Sequence, residues 1–591
     1  MRLLFAFLLL SPFWAFGQFP TSVTPQDTSS NRIEIIKSDR GIFEVIDGRE
    51  VRYLAGKVRL KHKDAFLLCD SAVVEDQYVF AYKDVVIIQD DTVNIFADSL
   101  IYDGFYRTAD LYGDVILKHG KKKLFTKHLE YNMATKVATY NTRATLANES
   151  TRLSSNRGSY FVGTSDAFFK DSVTVTDPQF NIKTDTLRFN TGTNTAFFVA
   201  PTVIKQDSAL IYTEAGFYDT DRDVAEFTLN PQYQRNEQRA RADTMRYNGA
   251  TKIVTLHGNA WSEDGTKKAR ANTIRYDSGN DLMWLEGNAH YEDNGQNVDS
   301  DTIRYDNKRK TFATRGRSLI SDPPQLIEAD IIDYDSNTGS GNASGNVFWQ
   351  DTAADLTVRC AYADYDKSRD FLKAHGDRPL LSTLLEGDTL WVRADTLVAL
   401  RENPADSART LLGYHDVRIF STDFQGKCDS FSYAGRDSVF RLYQSPILWA
   451  DTSQFVADTI NILTVGNRVD RILLQQDAFV INSPDAKYFN QIKGRQITAF
   501  FVSDTLRSTQ VVGNAESVYY ALDDGQAYIG VNQVQCSEML LQFEANQVTG
   551  IRFYTEPQST LTPMLQAKHD ALRLKGFRWD YDKRPRSKAD L

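Results

Sequence analysis

Hydrophobic and polar residues alternate with a period of two along most of the chain. In the segment that begins at Ala271, Ile274 and Tyr276 share one face, while Thr273 and Arg275 occupy the other. The separating segments are rich in Asp, Asn, Ser, Gly and Lys, which favour turns. Stripes with helical spacing are nearly absent. The pattern predicts an all-β fold of paired strands, each with one apolar face.

The pattern recurs with a period of 29 residues. Four similar segments, RADTMRYN, ANTIRYDS, SDTIRYDN and ADIIDYDS, carry a polar residue at their start, and these residues are 29 positions apart: Asp243, Asn272, Asp301 and Asp330. A set of glycines keeps the same step: Gly258, Gly287, Gly316 and Gly345. Two signals with one period predict a stack of like coils, each built from two strands.

Weaker copies extend the repeat in both directions, and the spacing lengthens after Asp330. We therefore predict the following organisation along the chain: a signal peptide at 1–17, a leader at 18–50, clear repeats at 51–350, diverged repeats at 351–556 and a basic carboxy-terminal tail at 557–591.

The first residues indicate export. Arg2 precedes an apolar run from Leu3 to Leu10, and the small residues near Gly17 resemble a cleavage site. No later stretch approaches the roughly 20 apolar residues of a membrane helix. The composition, 42% hydrophobic and 25% charged, is that of a folded chain. The formal net charge of −9 argues against a general nucleic-acid binder.

The search for catalytic and metal-binding groups is negative. The eight histidines are dispersed and show no metal-ligand spacing, and no nucleophile elbow, phosphate-binding loop or Cys-x-x-Cys is present. The prominent acids recur in every coil, which suits turns better than a single reaction centre. The four cysteines lie on coils too far apart to bridge, so we predict free thiols. We predict no enzyme activity, no metal and no cofactor.

The repeated apolar pairs are the candidate binding residues. They are predicted to form either a filled core or an apolar trough between two sheets that admits acyl chains. The residues assigned to the trough are Leu100, Tyr102, Leu187, Phe189, Met245, Tyr247, Ile274, Tyr276, Met283, Leu285, Ile303, Tyr305, Ile332 and Tyr334. On the opposite face the repeat carries Arg188, Arg246, Arg275 and Arg304, which suit either a solvated face with counter-charges or contact with phosphates.

The units ADSLIYDG, ADTMRYNGATKIVTLHGNA and NTIRYDSGNDLMWLEGNA resemble the OstA-like repeat of LptA and of the amino-terminal domain of LptD. The resemblance implies an elongated β-jellyroll or β-taco, an open, V-shaped antiparallel solenoid whose apolar interior carries lipid A. It further implies a periplasmic location, which includes peripheral attachment to the outer membrane, and edge-to-edge strand pairing with other Lpt-type β-jellyroll proteins. The repeats occupy almost the whole length, so we expect no carboxy-terminal barrel of the LptD kind.

The leading hypothesis is a periplasmic carrier or bridge for lipopolysaccharide or a related glycolipid in outer-membrane assembly. A second hypothesis is a structural β-solenoid scaffold or adhesin without a lipid ligand, which predicts a tightly filled interior. A third, a carbohydrate-active β-helix enzyme, would need one unrepeated cluster of acids, and the sequence shows none.

Overall fold

The computed structural model describes residues 32–385, 387–401, 409–466, 468–502, 505–523, 525–544 and 547–591. The predicted signal peptide and the first part of the leader lie outside the described residues. The chain divides into two compact units, unit 1 (1–221) and unit 2 (222–591). The predicted all-β class is confirmed, because the described residues contain strands and short 3₁₀ turns but no α-helix.

Most of the long strands of unit 1 lie between β3 and β8. Its described strands are β1 Glu34–Lys37, β2 Arg40–Ile46, β3 Arg49–His62, β4 Ala65–Glu75, β5 Tyr78–Gln89, β6 Val93–Asp103, β7 Thr108–His119, β8 Lys122–Asn132, β9 Val137–Tyr140, β10 Ala144–Asn148, β11 Thr151–Ser155, β12 Arg157–Phe161, β13 Asp166–Thr176, β14 Asn181–Asn190, β15 Thr195–Phe198, β16 Thr202–Gln206, β17 Ala209–Thr213 and β18 Ala215–Asp219.

Unit 2 contains the four most similar copies of the repeat. Its described strands are β19 Val224–Thr228, β20 Gln232–Arg235, β21 Gln238–Arg241, β22 Thr244–Asn248, β23 Ile253–Asp264, β24 Lys267–Asp277, β25 Leu282–Asp293, β26 Gln296–Asp306, β27 Thr311–Asp322, β28 Gln325–Asp335, β29 Ser340–Asp351, β30 Leu356–Asp366, β31 Phe371–His375, β32 Leu380–Leu385, β33 Asp388–Arg393, β34 Thr396–Leu400, β35 Thr410–Phe420, β36 Phe424–Ala434, β37 Val439–Tyr443, β38 Ile447–Ala450, β39 Ser453–Val456, β40 Thr459–Val465, β41 Arg468–Asn482, β42 Asn490–Val502, β43 Thr505–Leu522, β44 Tyr528–Glu544, β45 Gln547–Tyr554 and β46 Gln558–Pro563.

Successive strands pair antiparallel within each unit, so that each unit is a β-jellyroll stack. In unit 2, β24 pairs with β23 on one side and with β25 on the other, and the same relation continues through β30. A pair such as β24 and β25 is one 29-residue coil. The predicted repeat of two strands per coil is therefore confirmed.

In the regular copies of the repeat, a long strand bends at a corner where its repeated glycine contacts the repeated Asp or Asn of the neighbouring strand. Gly258 and Asn259 both have left-handed backbone angles, with φ of +74° and +46°. The backbone N–H of Asp243 donates to Gly258 O at 2.8 Å, and Asn259 Nδ2 donates to both carboxylate oxygens of Asp243 at 3.0 and 3.2 Å. The pairing register shifts at the same point, between His257 and Ala260. The corner is thus a β-bulge that bends the strand.

The corner divides every long strand into two limbs. Limb A lies between the corner and the turn that follows a Tyr-Asp pair such as Tyr276-Asp277, as in residues 273–277 and 282–286. Limb B lies between the corner and the tight hairpin, as in residues 267–271 and 289–293. Most inward side chains of both limbs are apolar and buried, whereas most outward positions are partly or fully exposed. The core of each unit therefore lies between the inner faces of limbs A and B.

Asx turns link the coils on the limb A side. The carboxylate of Asp277 accepts from the backbone N–H groups of Gly279 and Asn280, at 2.9 and 3.0 Å. Ser278 N then donates to Lys252 O, the equivalent turn one coil earlier, at 3.0 Å. Asn307 N and Asp281 O repeat that bond one coil later at 3.0 Å. The Asp of the Tyr-Asp motif is therefore a turn residue.

The carboxy-terminal tail packs against the outer face of limb B in unit 2. Beyond β46 it forms 3₁₀ turns at Met564–Gln566, His569–Leu572, Tyr581–Lys583 and Lys588–Asp590; another lies at Lys367–Arg369. Three buried glutamine side chains of the sheet form hydrogen bonds with the tail. Gln491 and Gln454 bond to its backbone, and Gln425 Oε1 accepts a hydrogen bond from Arg584 Nε. At its end, Arg393 Nη1 donates to Leu591 O at 2.8 Å.

Substitution of a corner glycine should cost more stability than substitution of a turn glycine with the same backbone angle. Gly316 (φ +89°) has no room for a Cβ, which would lie 2.6 Å from Asp301 Cβ, whereas Gly295 (φ +87°) has no atom within 4 Å. We expect Gly316→Ala to lower the free energy of unfolding by about 2–4 kcal/mol and Gly295→Ala by about 1 kcal/mol, measured by urea unfolding. Equal losses would show that only the backbone angle matters at the corner.

Candidate functional site: the interior lane

The strand register arranges the predicted trough residues in two neighbouring rows on the inner face of limb A. The corner row, next to the bend, contains Met245, Leu256, Ile274, Leu285, Ile303, Thr314 and Ile332. The mouth row, next to the turns, contains Tyr247, Val254, Tyr276, Met283, Tyr305, Phe312 and Tyr334. In unit 1 Leu100 and Leu187 take corner-row positions, and Tyr102 and Phe189 take mouth-row positions. Binding by these residues remains a prediction.

In unit 1, hydrogen bonds between limb A and limb B close the interior at the side away from the corner, which we call the mouth. The Tyr102 hydroxyl lies 2.6 Å from Nδ1 of His62 on limb B, and the Tyr131 hydroxyl donates to Gln89 Oε1 at 2.7 Å. The same relation joins the Tyr160 hydroxyl to His119 Nδ1 at 2.7 Å. Tyr102 is 2% exposed and Tyr131 0% exposed. We call these three pairs the mouth latches.

Small residues alternate with the latch tyrosines along the mouth row of unit 1. Tyr131 lies between Ala109 and Ala138 in register, and Ala138 in turn faces Tyr160. Each ring therefore has room to extend toward the opposite limb. Leu100, Leu187 and Phe189 are buried in the same packed interior. The space between the inner faces of limbs A and B, which we call the lane, is therefore filled by the protein's own side chains in unit 1.

Burial shifts the titration of the groups around the latches. It raises the pKa of Tyr102 to about 12, with smaller opposing effects from Arg107, and it lowers the pKa of His119, with a further contribution from Lys122. The pKa of Lys122 is also lowered by burial. Both His119 and Tyr102 therefore favour their neutral forms, as buried hydrogen-bonding partners do.

The mouth row is accessible at the start of unit 2. Tyr247 is 37% exposed, and Val254, Tyr276 and Met283 are half-buried, whereas the corner row beneath them is buried. Tyr276 donates its hydroxyl proton to Asp281 of its own turn at 2.8 Å, instead of crossing to limb B. Burial, assisted by Asp281, raises the pKa of Tyr276 to about 12. We call these four residues the accessible segment.

Small side chains on limb B explain the opening. Its inner row in this region contains Ala240, Ser262 and Ala269. The next residue in that row is Tyr291, whose ring centroid lies 5.1 Å from that of Tyr305 on limb A. The interior is therefore closed again at this coil, where Tyr305 is buried. Side-chain size on limb B, and not the limb A motif, distinguishes accessible coils from filled ones.

A cavity lies beside limb A of unit 2, near the turns that follow the limb A tyrosines. It encloses about 630 Å³ and is lined by charged side chains including Arg304, Asp333 and Asp364, with Tyr334 and Tyr365 at its wall. Its lining thus mixes charged side chains with aromatic side chains of the mouth row. Of the predicted trough residues, Tyr334 is thus half-buried beside this cavity.

The outward arginines of the repeat have neighbours of opposite charge or aromatic character. Arg188 Nε lies 3.0 Å from Asp166, and Arg246 Nε lies 2.8 Å from Glu226. The Arg275 guanidinium lies 4.3 Å from the centroid of the Trp284 ring. This arrangement matches the solvated face with counter-charges.

Metal-ligand groups and membrane-spanning helices are absent from the described ranges. In that part of the chain no three His, Cys, Asp or Glu side chains are grouped to hold a metal ion. The described residues also include no helix that could cross a membrane. Cys69, Cys360 and Cys428 are buried thiols, and burial raises the pKa of each to about 12.

Two family models match the chain. The model described as OstA-like protein matches residues 30–185, and the model of the LptA/(LptD N-terminal domain) LPS transport protein matches residues 164–278 and 262–311. Residues 30–311 are therefore similar to OstA-like proteins and to the LptA/(LptD N-terminal domain) LPS transport proteins. The matched part includes the mouth latches and the accessible segment. The resemblance predicted from the repeat motifs is therefore confirmed for this part of the chain.

Among solved structures, the chain is similar to LptH, the LptA homologous periplasmic component of the lipopolysaccharide transport device of Pseudomonas aeruginosa. The alignment has 13% sequence identity and a TM-score of 0.19, and it covers 24% of this chain and 93% of LptH. The curated protein sequences contain no significant match.

The limb B partners were not found by sequence reasoning. His62, Gln89 and His119 precede their tyrosines by 40, 42 and 41 positions. This regular offset is a signal that could have identified them, but only once the coil geometry was known. Without it, histidine and glutamine at strand ends are indistinguishable from surface residues.

Loss of a latch hydroxyl should loosen unit 1 more than loss of the equivalent hydroxyl loosens the accessible segment. Tyr131→Phe leaves Gln89 Oε1 without its buried donor, so we expect local stability to fall by about 1–3 kcal/mol. Tyr276→Phe removes a bond to Asp281, which water can replace, so its cost should be below about 1 kcal/mol. Hydrogen exchange of peptides from β8 and β24 measures both. A larger effect at Tyr276 would contradict this account of the mouth.

Proposed function

We propose that this protein is a non-enzymatic periplasmic carrier or bridge for lipopolysaccharide, or a related glycolipid, in outer-membrane assembly. Acyl chains enter the lane at the accessible segment, where Tyr247, Tyr276 and Met283 offer apolar surface to solvent. The observation that carries the proposal is this half-exposed apolar row above a buried one, in a chain similar to lipopolysaccharide transport proteins.

Burial of acyl chains would supply the binding free energy. Each methylene removed from water contributes about 0.8 kcal/mol, so a few methylenes against the mouth row suffice for measurable binding. No directional bonds hold the chain, and it can therefore slide along the lane. The small inner residues of limb B, Ala240 and Ala269, leave the space that a second wall of tyrosines would fill.

In this proposal, acyl-chain binding by the predicted trough residues of unit 1 depends on an opening of that unit. Leu100, Tyr102, Leu187 and Phe189 are buried, and acyl chains would reach them only if the mouth latches opened. Opening would expose buried polar partners such as His62 and would therefore cost free energy. The sealed interior of unit 1 favours the second hypothesis, a structural scaffold, for that unit.

The amino-terminal edge suits the predicted pairing with other Lpt-type proteins. Among the described strands, β2 pairs with β3 alone and presents exposed apolar residues, with Phe43 66% and Val45 72% exposed. An unpaired edge of this kind adds a further strand readily. We propose it as the contact for another β-jellyroll end.

Photo-crosslinking tests the carrier proposal. With benzoylphenylalanine at position 276 or 283, we expect covalent adducts with lipopolysaccharide, because these side chains lie in the accessible segment. The same group at the outward positions 275 and 304 should give several-fold less adduct. Adducts that form only at the outward positions, or at none, would overturn the carrier proposal, and the scaffold hypothesis would then remain.

Charged substitutions at the edge strand test the partner proposal. Phe43→Lys with Val45→Lys should prevent strand addition, since lysines on an edge oppose pairing. Affinity capture from periplasmic extract, with OstA-like proteins quantified by mass spectrometry, should show a loss of at least about tenfold. The control, Tyr53→Lys with Ile101→Lys, places the same charges on exposed outward positions of β3 and β6. Equal capture by both variants would refute the edge contact.

A further inference from the structure

The outer face of limb B in unit 1 combines apolar and basic residues, with Glu34 of β1 in register with Lys61 at its edge. Between β3 and β17 the register defines two outward rows on this face. The first row contains Arg59, Leu68, Val86, Phe96, Ile116 and Phe125, and it continues to Lys183 in β14. The second contains Lys61, Phe66, Ile88, Asn94, Lys118 and Lys123, and it continues to Arg152 and Lys205. We call the part from β3 to β8 the basic apolar face.

The charge of this face is opposite to that of the whole protein. The chain has a formal net charge of −9, yet neither row contains Asp or Glu in the described strands from β3 to β17. In unit 2 the same face of limb B is neutralised, for example where Lys268 Nζ lies 3.2 Å from Glu292. A single-sign surface on a protein of opposite net charge orients the molecule toward an anionic partner.

Apolar side chains occupy the centre of the basic apolar face. Phe125 is 40% exposed, and Phe96 and Ile116 are half-buried although they point outward. The cations lie against them: Lys118 Nζ is 4.5 Å from the centroid of the Phe96 ring, and the Arg59 guanidinium is 4.6 Å from that of Phe66. Apolar groups surrounded by lysine and arginine are the combination found at membrane-surface contacts.

The equivalent face of unit 2 shows what a polypeptide-covered surface looks like in this protein. There the carboxy-terminal tail covers limb B, and the buried side chains of Gln425, Gln454 and Gln491 bond it. The basic apolar face has phenylalanine, valine, isoleucine and leucine at its central positions, with Asn94 as its one carboxamide side chain. It lacks the groups that bind a backbone. A lipid surface needs no such groups.

We propose that the basic apolar face docks the protein on an anionic phospholipid surface. Lysine and arginine contact the phosphates, and the phenylalanine and aliphatic side chains enter the headgroup region. This surface lies outside the lane, so docking is independent of acyl-chain transport through the interior.

Vesicle sedimentation tests the proposal with the full chain and without lipopolysaccharide. Vesicles of 30% phosphatidylglycerol and 70% phosphatidylcholine should bind the protein, and pure phosphatidylcholine vesicles should bind it at least about tenfold less. Lys118→Glu with Lys123→Glu should lower binding to the anionic vesicles by about tenfold or more, at about 1 kcal/mol per cation. Phe96→Ser with Phe125→Ser should also weaken binding.

The matched control is Arg275→Glu with Arg304→Glu, which changes the net charge equally on the outward face of unit 2. Its binding should stay within about twofold of the unaltered protein. Absence of binding to anionic vesicles, or equal losses in both charge variants, would overturn the proposal. Binding to polyglutamate but not to vesicles would assign the face to an acidic protein instead and would equally reject lipid docking. None of these outcomes depends on crosslinking in the lane.

Discussion

The bend at the corner of each strand is the constraint on which the rest of the fold depends. A straight strand of twelve residues would extend about 40 Å and could bury only one flat face against another sheet. Here Gly258 and Asn259 adopt left-handed angles, and Asp243 satisfies the polar groups that the bend exposes. The strand then folds over itself, and two inner faces enclose one core. Other corners adopt the same left-handed angles without glycine, as at Lys83-Asp84 and Gln476-Asp477, so the backbone angles and the bulge are what the corners share.

Once two limbs face each other, the side chains of limb B decide what the interior can do. A polar partner such as His62 or Gln89 bonds the limb A tyrosine and seals the mouth. Where the limb B row nearer the corner holds serine and alanine, as at Ser262 and Ala269, the limb A residue Tyr276 is only half-buried. One backbone can therefore supply both a rigid filled coil and a coil with accessible apolar surface. The accessible apolar surface is thereby confined to a defined part of the stack.

The outer faces are specialised as well. In unit 2 the tail covers limb B and bonds to its buried glutamines, so that this surface is internal to the protein. In unit 1 the corresponding surface is basic and apolar. The inner lane and the outer face use opposite sides of the same strands, because alternate residues point in opposite directions. The inner and outer faces can therefore differ in chemical character along the same strands.

The alternation and the repeat in the sequence were enough to predict the strands, their pairing into coils and the inward direction of residues such as Ile274 and Tyr305. These features depend on local geometry, since the period of two and the Asp, Asn and Gly positions are set within one coil. The cores of Leu100 and Leu187 were named correctly as inward-facing for the same reason. The family resemblance followed from the same short motifs.

Only the tertiary structure decided which coils are sealed and where the tail lies. A latch joins residues about 41 positions apart, such as His119 and Tyr160, and the contact exists only after the limbs fold toward each other. The same holds for the tail, where Arg393 meets Leu591 across 198 positions. Alternation along a strand is a local property, whereas the distance between two limbs depends on the sizes of side chains that face each other across the core.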